Sequence, residues 1–401
     1  MNITLSFFTL SHLISHSPTL TANPSSRILS CRIFHSQFRK SFSPIFFSTS
    51  PLNFEAQNSL FQQFILTPLR FERAQYSDAT IDARRLSFIV GSVNISYCRF
   101  RLCLGRNGIS GGAIFCVANL SLTQCLFEHN SARKAGSIYC NGELLLKSVT
   151  FDGGYSDIGQ GFINEDCDYL NLHQELVTFV NLEAINSACF IRSSPGNVVI
   201  NAINLSTSSA KNSNAGFSLF DTKNDIIFSI FFELTAFKES CIFMKRCKNT
   251  QIDRTLYWLI RSSNDNTEGS TCLSYYDTSS KCTVLHCAFL LCSPGGSQLV
   301  KASDFAQIFI SEACTTVDRV SFIGDESGIS VDKKLRVNDQ CGDRLVIHID
   351  KPFGYHTENI ALDLATMRSD VYDGLIIGAL AIIVVIVTAS ISFLILYQFT
   401  R

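Results

Sequence analysis

Gly111-Gly112-Ala113-Ile114-Phe115-Cys116, followed by Leu120-Ser121-Leu122 and Cys125-Leu126-Phe127-Glu128-His129-Asn130, is the stretch whose reading decides the fold. A weaker copy follows at Gly136-Ser137-Ile138-Tyr139-Cys140, Leu144-Leu145-Leu146 and Val149-Thr150-Phe151. Aligned, the second halves share a template with an apolar residue at offsets 0, 2, 5 and 7. It recurs as Val93-Ile95-Cys98-Phe100, Val198-Ile200-Ile203-Leu205 and Cys282-Val284-Cys287-Phe289. With a polar first position it returns as Thr315-Val317-Val320-Phe322, and degenerate copies start near Leu170, Ile226 and Thr250. The nine starts (93, 120, 144, 170, 198, 226, 250, 282 and 315) are 24 to 33 residues apart.

The spacing has a physical reading. Strand side chains alternate, so offsets 0 and 2 share one face, as do 5 and 7. The odd step between the pairs requires a corner if all four residues point inward. A further short strand precedes each pair, at Gly112-x-Ile114-x-Cys116 and Gly136-x-Ile138-x-Cys140. Three strands and three corners per repeat predict one coil of a parallel β-helix, each coil pairing with those above and below. The expected fold is therefore all-β: a right-handed parallel β-helix solenoid of about nine coils, roughly 40 Å long at about 4.8 Å per coil. Gly111, Asn119, Asn130, Asn141 and Gly142 are the expected left-handed corner residues. The competing leucine-rich repeat needs a sustained L-x-x-L-x-L-x-x-N pattern, and the chain does not keep one.

Composition narrows the function. The chain has 401 residues, 46% hydrophobic and 17% charged, with a net charge of −1. That balance carries no electrostatic footprint for nucleic acid. Sixteen cysteines point toward an extracytoplasmic compartment. Residues 1–70 read as a signal or variable N-terminal segment. The apolar run Ile3 to Ile14 resembles a signal-peptide core without a basic leader. Arg27, Arg32, Arg39 and Lys40, with no acid before Glu55, also fit a mitochondrial transit peptide. Phe61 to Arg85 are expected to cover the first coil of the ectodomain, residues 71–340.

Asn94, Asn119 and Asn204 are the glycosylation candidates, and Asn94 and Asn204 fall at outward offsets. Cys98, Cys125 and Cys287 occupy an inward offset that valine or isoleucine fills elsewhere, which favours small core hydrophobes. Cys98 with Cys125, or Cys116 with Cys140, would sit in register on adjacent coils, within Cα range of a disulfide; that alternative stays open. No C-x-x-C, H-E-x-x-H, P-loop or dinucleotide fingerprint occurs, so no metal or cofactor is expected.

From Cys341 to Asp373 the repeat is lost, and 341–373 read as a C-terminal cap or stalk. Residues 374–397, from Gly374-Leu375-Ile376 to Leu396-Tyr397, contain no charge. They are long enough to cross a bilayer as one α-helix, leaving a tail at 398–401. Asp370 and Asp373 before the run and Arg401 after it favour the solenoid outside, at the plasma membrane. A GPI signal is the alternative anchor. Gly374 and Gly378 form a small-xxx-small pair suited to a weak homodimer within the membrane.

Gly111-Gly112-Ala113-Ile114 with Phe127-Glu128-His129-Asn130 resembles the paired G-G-A-I and F-x-x-N motifs of the polymorphic outer membrane protein type of β-helix. The layout is similar to that of protist surface proteins with such repeats and one C-terminal transmembrane helix. The resemblance implies a right-handed β-helix and a role in adhesion. Gly136-Ser137-Ile138 and Phe151-Asp152-Gly153-Gly154 depart from the motifs. The chain also ends in an apolar segment where bacterial members carry a barrel.

Two functions remain. One is a membrane-anchored surface glycoprotein that binds an unknown protein or glycan. The other is a polysaccharide lyase or glycoside hydrolase of the pectin lyase-like kind, since β-helices host such chemistry on one outward face. Offsets 3 and 4 of the last three coils are Asp253-Arg254, Leu285-His286 and Asp318-Arg319. Stacking would set Asp253 and Asp318 roughly 10 Å apart with His286 between them. An inverting glycosidase needs carboxylates at roughly 6.5–9.5 Å.

Overall fold

The computed structural model describes residues 2–337 except 14–16, 24–29, 51, 73–90, 107–109, 166–170, 187–188, 213, 238–240, 263–269, 278–279, 294–297, 303–304, 318–321, 323–327 and 333–335. These residues form a parallel β-solenoid within the compact unit Met1–Asp339. One coil runs through Ile114–Cys116, Asn119–Thr123, Leu126–Glu128 and Ser131–Lys134. Each strand pairs in parallel with its counterpart one coil later: Ile138–Cys140, Leu144–Lys147, Thr150–Asp152 and Tyr155–Ile158. The coil thus has four strands, not the expected three. The fourth builds a seven-stranded sheet from Leu104–Gly105 to Arg261–Ser262. Its inward residues are small, including Gly105, Ser156, Ala184, Ala210 and Ala236, so a search for large apolar residues passes over it.

The corners have a simple cause. One residue at template offset 4 adopts left-handed backbone: Tyr97 (φ 55), Gln124 (φ 51), Ser148 (φ 54), Leu176 (φ 56), Ala202 (φ 58), Phe228 (φ 52), Arg254 (φ 50), His286 (φ 50) and Glu312 (φ 52). A second lies at offset 9, as at Leu102 (φ 54), His129 (φ 49), Asn181 (φ 55) and Thr207 (φ 48). A left-handed residue between extended ones turns the chain and shifts the in-out alternation by one. Of the expected corner residues only Gly111 (φ 74) has left-handed backbone; Asn119, Asn130, Asn141 and Gly142 do not. Bulky residues fit because their side chains face outward, as the 48% exposure of Tyr97 shows. Their N–H groups stay paired with the next coil: Tyr97 donates to the Thr123 carbonyl (3.0 Å), Gln124 to Lys147 (2.9 Å) and Ser148 to Glu175 (2.9 Å). Left-handed backbone at a non-glycine residue costs on the order of 1–3 kcal/mol, which the ladder bonds and burial around it must offset.

The register at 93, 120, 144, 198, 250 and 282 is as expected. Three starts are corrected. Leu144 pairs with Leu172, Val198 with Asn224, and Cys282 with Ile308, so these coils begin at 172, 224 and 308 and not at 170, 226 and 315. Polar or small residues at inward positions caused each slip: Gln174; Asn224 with Ser229; and Ala313 with Thr315. The boundary near 71 is also corrected. Asn2–Ser6, Ser30–Phe34 and Asn53–Gln57 stack in register below Ser92–Ser96, so the solenoid reaches back into residues 1–70. Ser36 and Ser59 replace the apolar residue at offset 5 there, which hid the template. Phe61, expected in a cover, is fully buried in the core. The face carrying offset 7 is a 13-stranded parallel sheet, which lengthens the expected nine-coil stack. Residues 341–373, 374–397 and 398–401, including Gly374 and Gly378, lie outside the described residues. Among the described residues no helix is long and apolar enough to cross a membrane.

Offset 7 carries the core's main ladder. Phe38, Phe61, Phe100, Phe127, Phe151 and Phe179 stack with centroids 4.8 to 5.2 Å apart. Leu205 interrupts it, and Phe231, Tyr257 and Phe289 resume it at 5.2 and 4.6 Å. Each pair contributes about 0.5–1.5 kcal/mol beyond area burial. Offset 5 carries a second device. The side chains of Ser36, Ser59, Cys98, Cys125, Ser229, Thr255 and Cys287 each donate to the carbonyl two residues earlier, at 2.8 to 3.4 Å, bracing the corner. Cys98, Cys125, Cys116 and Cys140 are buried and outside any disulfide, so the core reading holds over the disulfide pairs. Cys314 is disulfide-bonded.

Candidate functional site

Because corner residues face outward at every coil, the offset-4 row forms a continuous edge. Near its end Arg254, His286 and Glu312 stack at equivalent positions, with Asp253 beside them. His286 Nδ1 lies 2.7 Å from Asp253 Oδ1, and Nε2 lies 3.2 Å from Glu312 Oε2. The Asp253 side chain is only 15% exposed, whereas those of His286 and Glu312 are 45% and 41% exposed. The Arg254 guanidinium sits 5.2 Å over the Phe228 ring and 4.0 Å from Asp253 Oδ2. Asp253 and His286 thus meet as their offsets foretold. Asp318 lies outside the described residues, and the corrected register sets Glu312 at the next position of the row.

Chemically this is a bridge. A neutral imidazole donates from one nitrogen and accepts at the other; its cation donates from both. Both His286 nitrogens face carboxylates, so the ring sits between three coils, donating to one carboxylate when neutral and to both as the cation, and neither nitrogen points to open solvent for a substrate. Among the described residues no group of three His, Cys, Asp or Glu side chains is placed to hold a metal.

A second feature lies on the four-strand edge. Leu104–Gly105, Ser131–Lys134 and Tyr155–Ile158 are consecutive strands there. They line an open groove of about 340 Å³ with Arg106, Arg133, Tyr155 and Asp157. Gly105 pairs with Ala132 and Ala132 with Ser156, so Arg106, Arg133 and Asp157 follow at equivalent positions. Arg133 Nε lies 3.7 Å from Asp157 Oδ2. Arg106 is exposed and makes no ion pair among the described residues. The Tyr155 side chain stands out from the strand, and the residue is 42% exposed. Sequence reasoning missed this groove, although the spacings of 27 and 24 residues from Arg106 to Arg133 to Asp157 equal those from Val93 to Leu120 to Leu144.

Asn94, Asn119 and Asn204 are all exposed. Asn119 Oδ1 accepts from the Glu143 N–H at 3.1 Å, and Asn94 Nδ2 donates to Ser92 Oγ at 3.3 Å. No protein family, curated protein or solved structure matches the chain.

Proposed function

We propose that the chain is a membrane-anchored surface protein whose right-handed β-solenoid displays outward rows to a protein or glycan partner. The observation that carries this is the repeated parallel register of the template positions, as from Val93 to Leu120 to Leu144, which turns outward offsets into ladders from coil to coil. Such a surface suits extended ligands and needs no reactive centre. The uncharged run 374–397 supplies the anchor as a single transmembrane helix, with a GPI-linked form as the variant reading. Resemblance of the Gly111–Ile114 and Phe127–Asn130 motifs to those of protist surface proteins supports an adhesive role. The exposed Asn94, Asn119 and Asn204 suit a glycoprotein. Gly374 and Gly378 would pair two anchors; membrane cross-linking that survives Gly378→Ile removes that element.

Topology is the test. An epitope inserted between the exposed Lys211 and Asn212 should stain on intact cells, and a C-terminal epitope only after permeabilisation. Staining of the Lys211 epitope solely after permeabilisation would refute the surface reading. The hydrolase alternative has less support, because Glu312 occupies the side of His286 opposite Asp253. Release of reducing ends from a polysaccharide, abolished by His286→Ala, would reinstate it.

A further inference from the structure

We infer that the groove lined by Arg106, Arg133 and Tyr155 binds a linear anionic polysaccharide, an inference that rests on the binding reading above and gives its ligand a chemical class. Two guanidinium groups stand at equivalent positions on adjacent coils, whose backbones are about 4.8 Å apart. Like charges so placed repel, and Asp157 answers only one of them. The local excess of one positive charge is a site that a ligand anion completes.

Guanidinium is the cation suited to this. Its planar fork pairs in a bidentate way with carboxylate or sulfate and is more weakly hydrated than ammonium. Tyr155 adds an exposed ring on the following coil, with its hydroxyl as a hydrogen-bonding tip. A ring face beside a charged fork suits a sugar that carries an acidic group. The groove is open and crosses three successive coils, so it accommodates a polymer segment better than an enclosed small molecule. The net charge of −1 makes the attraction local, unlike the broad basic field of a nucleic-acid binder.

The test uses the full-length chain in detergent on immobilised polygalacturonate (carboxylate), heparin (sulfate and carboxylate) and neutral dextran. Retention is expected on at least one polyanion and not on dextran, with release as salt rises. Polygalacturonate and heparin together tell which anion the groove prefers. Arg106→Gln and Arg133→Gln should each weaken binding roughly tenfold to a hundredfold, the range for a lost charge-assisted hydrogen bond. Asp157→Asn should tighten it by freeing Arg133 and removing a repelling carboxylate. Lys223→Gln, an exposed cation on another face, should change nothing. Circular dichroism confirms that each variant folds, as expected for exposed positions.

No retention on either polyanion overturns the inference. So do equal losses in Lys223→Gln and Arg106→Gln, weakening in Asp157→Asn, or equal capture by single-stranded DNA. Polyanion binding is read on purified protein, so its failure is distinct from a failed epitope topology.

Discussion

Replacing Phe127 tests how the solenoid core is held together. Phe127 is 1% exposed and stacks on Phe100 at 4.9 Å (5° between planes) and on Phe151 at 5.0 Å (16°). The native chain already contains the control, because Leu205 fills the same offset between Phe179 and Phe231. Phe127→Leu keeps most of the apolar volume and loses two ring pairs, a cost of about 1–3 kcal/mol at 0.5–1.5 each. Phe127→Ala also leaves a cavity that rigid neighbouring coils cannot close, for about 3–5 kcal/mol in all. Phe115→Leu, at a half-buried outward position stacked on Tyr139 at 5.0 Å, should cost under about 1 kcal/mol. Urea unfolding followed by far-ultraviolet circular dichroism gives the three values, with limited proteolysis locating the loosened coils. If Phe127→Leu costs as much as Phe127→Ala, or Phe115→Leu as much as either, the ladder is not the source of stability and the reasoning fails.

Other expected outcomes follow from the same register. Leu122→Asp should open neighbouring coils to protease, since an unpaired buried carboxylate costs several kcal/mol, while Ser121→Asp should be nearly silent; equal sensitivity would contradict the in-out assignment. Gln174 lies fully buried between Leu146 and Ile200, and neither its Nε2 nor its Oε1 has a hydrogen-bond partner, so Gln174→Leu should raise stability by about 1–3 kcal/mol; a lowered urea midpoint would show that the carboxamide is satisfied. Burial pushes the thiols of Cys31, Cys125 and Cys287 up to about 12. The unfolded chain therefore ionises first, and the stability from these thiols, intact below about pH 8.5, is lost between there and 12 at about 1.4 kcal/mol per pH unit per thiol. A stability flat from pH 9 to 11 would show these thiols already ionised or exposed.

How much of this was legible in the chain depended on residue size. Where large apolar residues fill offsets 0, 2, 5 and 7, as from Val93 to Phe151, both register and inward face could be read directly. Where Ser36, Ser59, Gln174, Asn224 or Ala313 takes an inward place, the pattern vanished or slipped, although the left-handed corner at offset 4 recurs in each of those coils. Hydrophobicity also cannot mark the left-handed corners. Tyr97, Leu176, Phe228 and His286 all occupy them, because the constraint falls on the backbone while the side chain is free. The pairing of Asp253 with His286 was visible because the start at Thr250, although on a degenerate copy, falls in register with Cys282. Glu312 was not, its coil having slipped by seven residues from 308 to 315. The groove escaped because its strands bury only glycine, alanine and serine.

The central claim is that outward residues one coil apart stand side by side, and an engineered cross-link reads this directly. Ser121 and Leu145 are partners in register on the outward side. Parallel neighbours are about 4.8 Å apart at Cα, within disulfide range, whereas a partner two residues farther along is about 8 Å away. Among the described residues, thirteen native cysteines outside any disulfide are buried and should resist mild oxidation. Ser121→Cys with Leu145→Cys should form an internal disulfide under mild oxidation, and Ser121→Cys with Lys147→Cys should not. Cross-linking of the second pair in preference to the first would contradict the account.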